Sequence, residues 1–376
     1  MKVPLADLRA QYLSIKPEID RAISQVIENS QFILGKAVSD FEQAFAQAHK
    51  VKYGVAVGSG TDALHASLWA FGIGTGDAVV TTPFTFIATV EAISMTGAQA
   101  LFVDIDPKTY TMDPAKLEHL LRSHQPKNIK AVIPVHLYGH PADMGAIGDI
   151  ASKYKLKVIE DACQSHLARY KDTFVGNFGA AACFSFYPGK NLGAYGEAGG
   201  ILTGDENLAK KLRQLRDHGQ SEKYKHEFWG HNYRMDGIQG AVLGVKLRYL
   251  GRWTARRREI AARYKEHLSG VDDLVMPYEA EDVFHVYHLF VVRTKQRSQL
   301  QKYLAEKEIA TALHYPIPIH FQEAYKHLGY KKGDFPASES AADECVSLPM
   351  YAEMSDDQLD YVITNVRSFF KHSRNS

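Results

Sequence analysis

Apolar residues along the first two thirds of the chain alternate between two periods. Ile19, Ile23, Val26 and Ile27 recur at helical spacing within residues 16–30, which predicts an amphipathic helix, and a second helix is expected over about Val38 to Ala48. Tyr53 to Val57 reads as the first buried strand. It opens directly into Gly58-Ser59-Gly60-Thr61-Asp62 and then a helix carrying Leu64, Leu68 and Trp69. Strands are expected at Ala78–Thr82, Ala100–Asp104, Lys130–Leu137 and from Lys157 onward, with helices at Pro114–Leu121 and Met144–Lys153 between them. Alternation of this kind, with strands apolar throughout, predicts an α/β fold in which helices cover both faces of a mostly parallel sheet.

A long helical pattern runs from Ile238 to about Leu268, and beyond Ser269 the rhythm changes. A strand from His285 to Arg293, a helix from Ser298 to Lys307, a strand from Thr311 to Tyr315 and a last helix opened by Ser355-Asp356-Asp357-Gln358, a capping-box pattern, suggest a smaller α+β unit. The expected division is a large domain over residues 1–249, including the N-terminal helical segment, and a small C-terminal domain over residues 250–376.

Composition narrows the function classes. With 376 residues, 45% of them hydrophobic, and a formal charge of +1, the chain carries no basic footprint for nucleic acid. Its apolar runs are too short for a membrane span, and Met-Lys-Val-Pro-Leu-Ala-Asp-Leu lacks the apolar centre of a signal peptide. Cys163, Cys183 and Cys345 form neither a disulfide framework nor a spaced metal cluster, and His226 and His231 stand five apart, off a common helical face. No metal is expected, and a reducing cytoplasm fits.

Candidate chemistry gathers at strand ends. The Gly58–Asp62 turn, between a strand and a helix start, offers backbone N–H groups and the positive end of a helix dipole to an anion such as phosphate. Gly58-x-Gly60-x-x-Ala63 also satisfies a loose dinucleotide fingerprint, which leaves an NAD-dependent oxidoreductase open; the next strand, however, ends in Pro83-Phe84-Thr85-Phe86 rather than an acidic residue. The strand from Lys157 ends in the acidic pair Glu160-Asp161. Lys190 stands alone among apolar and small residues in Phe184-Ser-Phe-Tyr-Pro-Gly-Lys-Asn-Leu-Gly193, on a tight loop before a second strand near Gly200. A lysine withdrawn from water can serve as a Schiff-base nucleophile; one at a strand end can also simply snorkel, and both readings stand on this segment alone. A lysine, a strand-end aspartate, a phosphate turn and an aromatic in one sheet crevice together match the needs of pyridoxal phosphate.

Motifs along nearly the whole chain resemble those of the DegT/DnrJ/EryC/StrS sugar aminotransferases, within the aspartate-aminotransferase-like fold (fold type I). They are Phe32-Ile33-Leu34-Gly35, Gly58 to Leu64, Thr85-Phe86-Ile87-Ala88-Thr89, Pro134 to Gly139, Ile159-Glu160-Asp161-Ala162, Ser185 to Gly193, Asn232-Tyr233-Arg234-Met235-Asp236 and His314-Tyr315-Pro316. The resemblance implies Lys190 as the lysine that takes the cofactor covalently and shuttles protons. Asp161 would pair with the pyridine nitrogen, Gln164 would lie near the ring hydroxyl and Phe86 would stack on the ring. Gly60, Thr61 and Ser185 would hold the phosphate, Asn232 and Arg234 would reach into the neighbouring subunit of a homodimer, and His314 and Tyr315 would meet a nucleotide-sugar. The implied reaction moves the amino group of L-glutamate, leaving 2-oxoglutarate and pyridoxamine phosphate, onto a nucleoside-diphosphate keto-sugar in amino-sugar biosynthesis. Leu137 to Met144 and the Tyr-Pro-Gly-Lys-Asn-Leu-Gly segment are more similar to enzymes acting at C-3 of dTDP-3-keto-6-deoxyhexoses than to the C-4 group; C-4 or UDP-linked acceptors are the alternative. A pyridoxal-phosphate-binding regulator is a remoter one. Two positions depart from the family pattern: Leu167 replaces a glycine and Glu197 an aspartate.

Overall fold

The computed structural model describes residues 1–123 and 128–372. Its centre is a seven-stranded sheet made of Tyr53–Val57 (β1), Ala78–Thr81 (β2), Gln99–Phe102 (β3), Ile129–Val132 (β4), Lys157–Asp161 (β5), Ala181–Ser185 (β6) and Gly199–Thr203 (β7). The strands lie in the order β1-β7-β6-β5-β4-β2-β3, and only β7 runs against its neighbours. The mostly parallel α/β arrangement expected from the apolar strands is thus the observed one.

Helices Leu8–Glu28 (α1), Gly35–Ala48 (α2), Gly60–Ala70 (α3), Ala88–Met95 (α4), Pro114–Ser123 (α5), Met144–Tyr154 (α6) and Glu206–Leu215 (α7) accompany the sheet. α1 begins earlier than its periodicity suggests because Asp7 caps it, accepting from the Ala10 amide at 2.9 Å. It then kinks at Ile15, two residues before Pro17, whose missing N–H interrupts the ladder. α3, on one side of the sheet, buries Ala63, Leu64, Ala66 and Leu68 with Val57, Ile159 and Cys183; on the other side Phe41 and Phe45 of α2 meet Phe184 and Phe186 edge-on.

The 32-residue helix Gly237–Leu268 (α8) belongs to two cores. Its first half packs Leu243 and Leu250 beside β6 and α2, and its second half packs Ile260, Ala261, Tyr264 and Leu268 into a cluster with the C-terminal elements. The boundary expected between residues 249 and 250 lies inside this helix. The C-terminal unit adds Phe290–Arg293 (β8), Arg297–Glu306 (α9), Pro336–Glu344 (α10), Cys345–Leu348 (β9) and Asp356–His372 (α11), with β8 and β9 antiparallel. Val3, at the other end of the chain, joins this unit by exchanging 2.9 Å hydrogen bonds with Glu308 and Ala310.

Several expected strands are shorter in the structure: the one expected over Lys130–Leu137 pairs only as Ile129–Val132, ahead of Pro134, and the one over Ala100–Asp104 stops at Phe102. Only Phe290–Arg293 of the segment from His285 pairs as a strand, because Tyr287 turns into the left-handed region (φ 43°) and stacks on His285, with centroids 3.9 Å apart. Thr311 to Tyr315 keeps a single bridge, Ala312 to Ser347, since His314 and Tyr315 depart toward the sheet crevice. The capping box at Ser355 is reciprocal as its spacing predicts: the Gln358 amide donates to Ser355 Oγ at 3.2 Å and the Ser355 amide to Gln358 Oε1 at 3.0 Å.

Candidate active site

The acidic pair ending β5 divides its work by strand alternation, which sends neighbouring side chains to opposite faces. Glu160 turns away from the crevice and is fully buried, accepting from the amides of Gly176 (2.9 Å), Phe178 (3.0 Å) and Gly179 (2.8 Å). His136 completes this set with its Nε2 at 3.1 Å; since its Nδ1 accepts from the Ala142 amide at 3.0 Å, the ring proton sits on Nε2 and points at the carboxylate. Asp161 faces the crevice, 5% exposed. Thr89 Oγ1 donates to its Oδ2 at 2.8 Å and the Cys163 amide to its Oδ1 at 3.2 Å, while Thr85 Oγ1 lies 3.0 Å from Thr89 Oγ1. The carboxylate is therefore held by neutral donors, and no protein cation cancels its charge through an ion pair among the described residues.

The turn after β1 supplies the anion site that its glycines suggest. Ser59 caps α3, accepting from the Asp62 amide at 3.0 Å, which leaves the Gly60 and Thr61 amides of the first turn with no helical carbonyl four residues back to donate to. A Cβ built on Gly60 would lie 2.7 Å from Ser185 Cβ and 3.1 Å from Cys163 Sγ, so glycine is what lets this turn meet the end of β6. Nearby, burial pushes the Asp62 carboxyl up to about 6, with the Glu197 charge adding to the effect.

Lys190 sits five residues beyond Ser185 on the loop joining β6 to β7. The loop closes through Lys190 N to Tyr187 O at 2.8 Å and Ala194 N to Phe186 O at 2.7 Å. Its half-buried side chain makes no hydrogen bond or ion pair through the amine among the described residues. Withdrawal from water lowers its pKa below the ordinary lysine value, against the opposing pull of Cys163 and Asp161. The amine and the strand-end carboxylate are thus close enough for their charges to be felt.

The far wall comes from the chain after α9. Gln164 Oε1 accepts from the Tyr138 amide at 2.7 Å, and its Nε2 donates to the Tyr315 hydroxyl at 3.1 Å, leaving one amide N–H free. Tyr315 lies 5.7 Å from the ring of Phe86, an aromatic left 53% exposed at the crevice. His314 holds Ser347 Oγ at 2.8 Å through Nδ1, and burial, aided by the Lys190 charge, lowers its pKa to about 4. Its imidazole is neutral around pH 7.

Asn232 and Arg234 lie beside the Gly58 turn of their own chain, where the Gly58 amide donates to the Tyr233 carbonyl at 2.9 Å. Asn232 is exposed, and Arg234 pairs with Asp217 at 2.5 Å. Sequence reasoning passed over Thr89 as the donor to Asp161. The signal was present in the Thr85-x-x-x-Thr89 spacing, which puts both hydroxyls on one side of a helix start.

These donors fit pyridoxal phosphate. A partnerless amine suits its aldehyde, and a buried carboxylate with neutral donors suits a protonated ring nitrogen. Free helix-start amides beside Ser185 suit a phosphate. The exposed face of Phe86 suits an aromatic ring, and the spare Gln164 N–H a ring oxygen.

A model of the DegT/DnrJ/EryC1/StrS aminotransferase family matches residues 13–367. The pleiotropic regulatory protein of Geobacillus stearothermophilus is 46% identical over 374 residues, spanning 99% of this chain and all of its own. The dTDP-3-amino-3,6-dideoxy-alpha-D-galactopyranose transaminase of Aneurinibacillus thermoaerophilus is 45% identical, covering 98% of this chain and 99% of its own. The crystal structure of DesV from S. venezuelae, in complex with a ketimine intermediate, has a TM-score of 0.95 at 40% identity, covering 98% of this chain and 99% of that one.

Proposed function

Since the chain belongs to the DegT/DnrJ/EryC1/StrS aminotransferase family, we propose that it moves the amino group of L-glutamate onto a nucleoside-diphosphate keto-sugar, with C-3 of a dTDP-3-keto-6-deoxyhexose as the acceptor. The observation that carries this reading is the partnerless Lys190 amine sharing one crevice with Asp161 and the start of α3. The acceptor follows the relatives: the Aneurinibacillus enzyme bears a dTDP-3-amino sugar in its name.

Pyridoxal phosphate, when bound, supplies the electron sink that lets the α-hydrogen of an amino acid leave as a proton. The rest falls to the chain. Lys190 Nζ, whose withdrawal from water lowers its hold on a proton, takes that proton and returns it, a role worth about 10²–10⁴-fold for a positioned base. Asp161, steadied by Thr89 and the Cys163 amide, would set its carboxylate against the ring nitrogen. Gly60, Thr61 and Ser185 would hold the phosphate, and Phe86 would cover the ring with Gln164 on its hydroxyl side. Neutral His314 offers Nε2 to the sugar, since Nδ1 is already held by Ser347, and Tyr315 lines the same wall. Asn232 and Arg234 complete a second subunit's site in a homodimer.

Spectroscopy tests the proposal. Purified protein with pyridoxal phosphate should be yellow, lose the band with glutamate as 2-oxoglutarate appears, and regain it with a dTDP-3-keto-6-deoxyhexose. Recovery with only C-4 or UDP-linked keto-sugars would move the acceptor assignment to those sugars. The name of the Geobacillus relative favours a second reading, a cofactor-holding regulator; that reading predicts no recovery with any keto-sugar.

A further inference from the structure

Lys246 has no place in the chemistry above, yet it is 1% exposed on α8. Its ammonium donates to the Gly193 carbonyl at 2.7 Å and stands 4.2 Å from the centroid of the Tyr195 ring. Burial draws its pKa down to about 8, against the attraction of Glu353, whose Oε1 is itself buried with no hydrogen-bond partner. A side chain that the interior disfavours this strongly is kept where it makes one specific bond.

That bond falls at the crossing point of the Lys190 loop. A Cβ on Gly193 would overlap the Pro188 carbonyl, so the chain leaving Lys190 rests directly on the chain entering it. Asn191 is tethered separately, through its Nδ2 to Val286 O at 3.1 Å and its Oδ1 to His288 Nδ1 at 3.2 Å. No other side chain bonds the Gly193 carbonyl among the described residues. The Lys246 bond thus anchors to α8 the very residue that rests on Pro188, two residues before the nucleophile.

We propose that Lys246 is a positioning residue for the transamination, clamping Gly193 against Pro188 and so fixing where the Lys190 side chain departs from the backbone. The inference deepens the aminotransferase reading and rests on it for its catalytic half alone. Lys246 reaches neither substrate nor cofactor; it acts through the loop.

Hydrogen exchange on the full chain, with and without pyridoxal phosphate, reads the clamp directly. Lys246→Met keeps the apolar stem and removes the donor, and Lys246→Arg keeps a donor. In Lys246→Met the Lys190 and Ala194 amides should exchange at least tenfold faster, with those of β1 and α3 unchanged, and Lys246→Arg should recover most of the protection. With glutamate, Lys246→Met should lower kcat at least tenfold while KM moves less than threefold. Unchanged protection at Lys190 and Ala194, or an equal loss across the whole sheet, overturns the clamp. Should Lys246→Met not fold, the wild type decides: loop amides that open together with α8 around Lys246 in low urea support it, and loop amides that open independently overturn it. Absence of glutamate turnover in wild type would sink the functional reading and leave the exchange result standing.

Discussion

Replacing Thr89 by valine removes one hydroxyl and almost no volume, which isolates what the Asp161 carboxylate needs. Asp161 is 5% exposed and its Oδ2 has the Thr89 hydroxyl as donor at 2.8 Å, so the variant leaves a buried, charged oxygen short of its partner. A hydrogen bond to a charged group contributes about 1.5–3 kcal/mol, which corresponds to roughly a ten- to hundredfold change in an equilibrium constant. The Thr85 hydroxyl, 3.0 Å from that of Thr89, is the obvious substitute, so Thr85→Val with Thr89→Val should cost more than either alone. The assay is urea unfolding of the cofactor-free protein at fixed concentration, compared through midpoints at constant slope. Thr89→Ser is the control: it keeps the donor and loses one methyl, worth about 0.8 kcal/mol. A valine variant no less stable than the serine one would refute the claim that the hydroxyl sustains the carboxylate.

Three further outcomes follow from the same geometry. Lys190 has a folded-state pKa below its ordinary 10.5, so between those two values the unfolded chain holds a proton that the folded one lacks, and stability rises with pH across that window. Cofactor-free Lys190→Met should therefore unfold later than wild type near neutral pH, with the gap closing as pH approaches 10.5 in a pH series of unfolding curves. Gly60→Ala drives a methyl against Ser185 Cβ at 2.7 Å and should cost about 1–3 kcal/mol, seen in a cofactor titration as weakened binding with the far strands β2 and β3 undisturbed. Leu167 has φ +62°, a conformation that costs a leucine about 1–2 kcal/mol, yet its side chain packs on the core beside β6. Leu167→Gly should thus change unfolding stability by less than about 1.5 kcal/mol either way, strain relief offsetting lost burial.

Much of this was legible before any coordinates, and the reasons are specific. β1 reads off the sequence to the residue because Tyr53–Val57 is an unbroken apolar run ended by glycine, and Gly237–Leu268 is found to within one residue because its buried side never loses the helical period. What was hidden depended on distant partners. The antiparallel insertion of β7 between β1 and β6 carries no local mark, and the failure of His285–Leu289 to pair comes from stacking of Tyr287 on His285. Lysine 190 and Asp161 could be singled out as charges in apolar surroundings, whereas Thr89 and Lys246 look like ordinary helix residues until the fold sets them against a carboxylate and a carbonyl. Leu167 shows the reverse: its departure from the family's glycine was visible in the sequence, but the left-handed backbone it adopts (φ +62°) became apparent only in the fold.

Because α8 is common to both packing units, the wall bearing His314 and Tyr315 and the floor bearing Lys190 are mounted on one continuous rod of about 48 Å. Swinging one unit away from the other would mean breaking that rod. The width of the crevice between them is then a built dimension, and a change in what it admits would have to work by exchanging the side chains that line it.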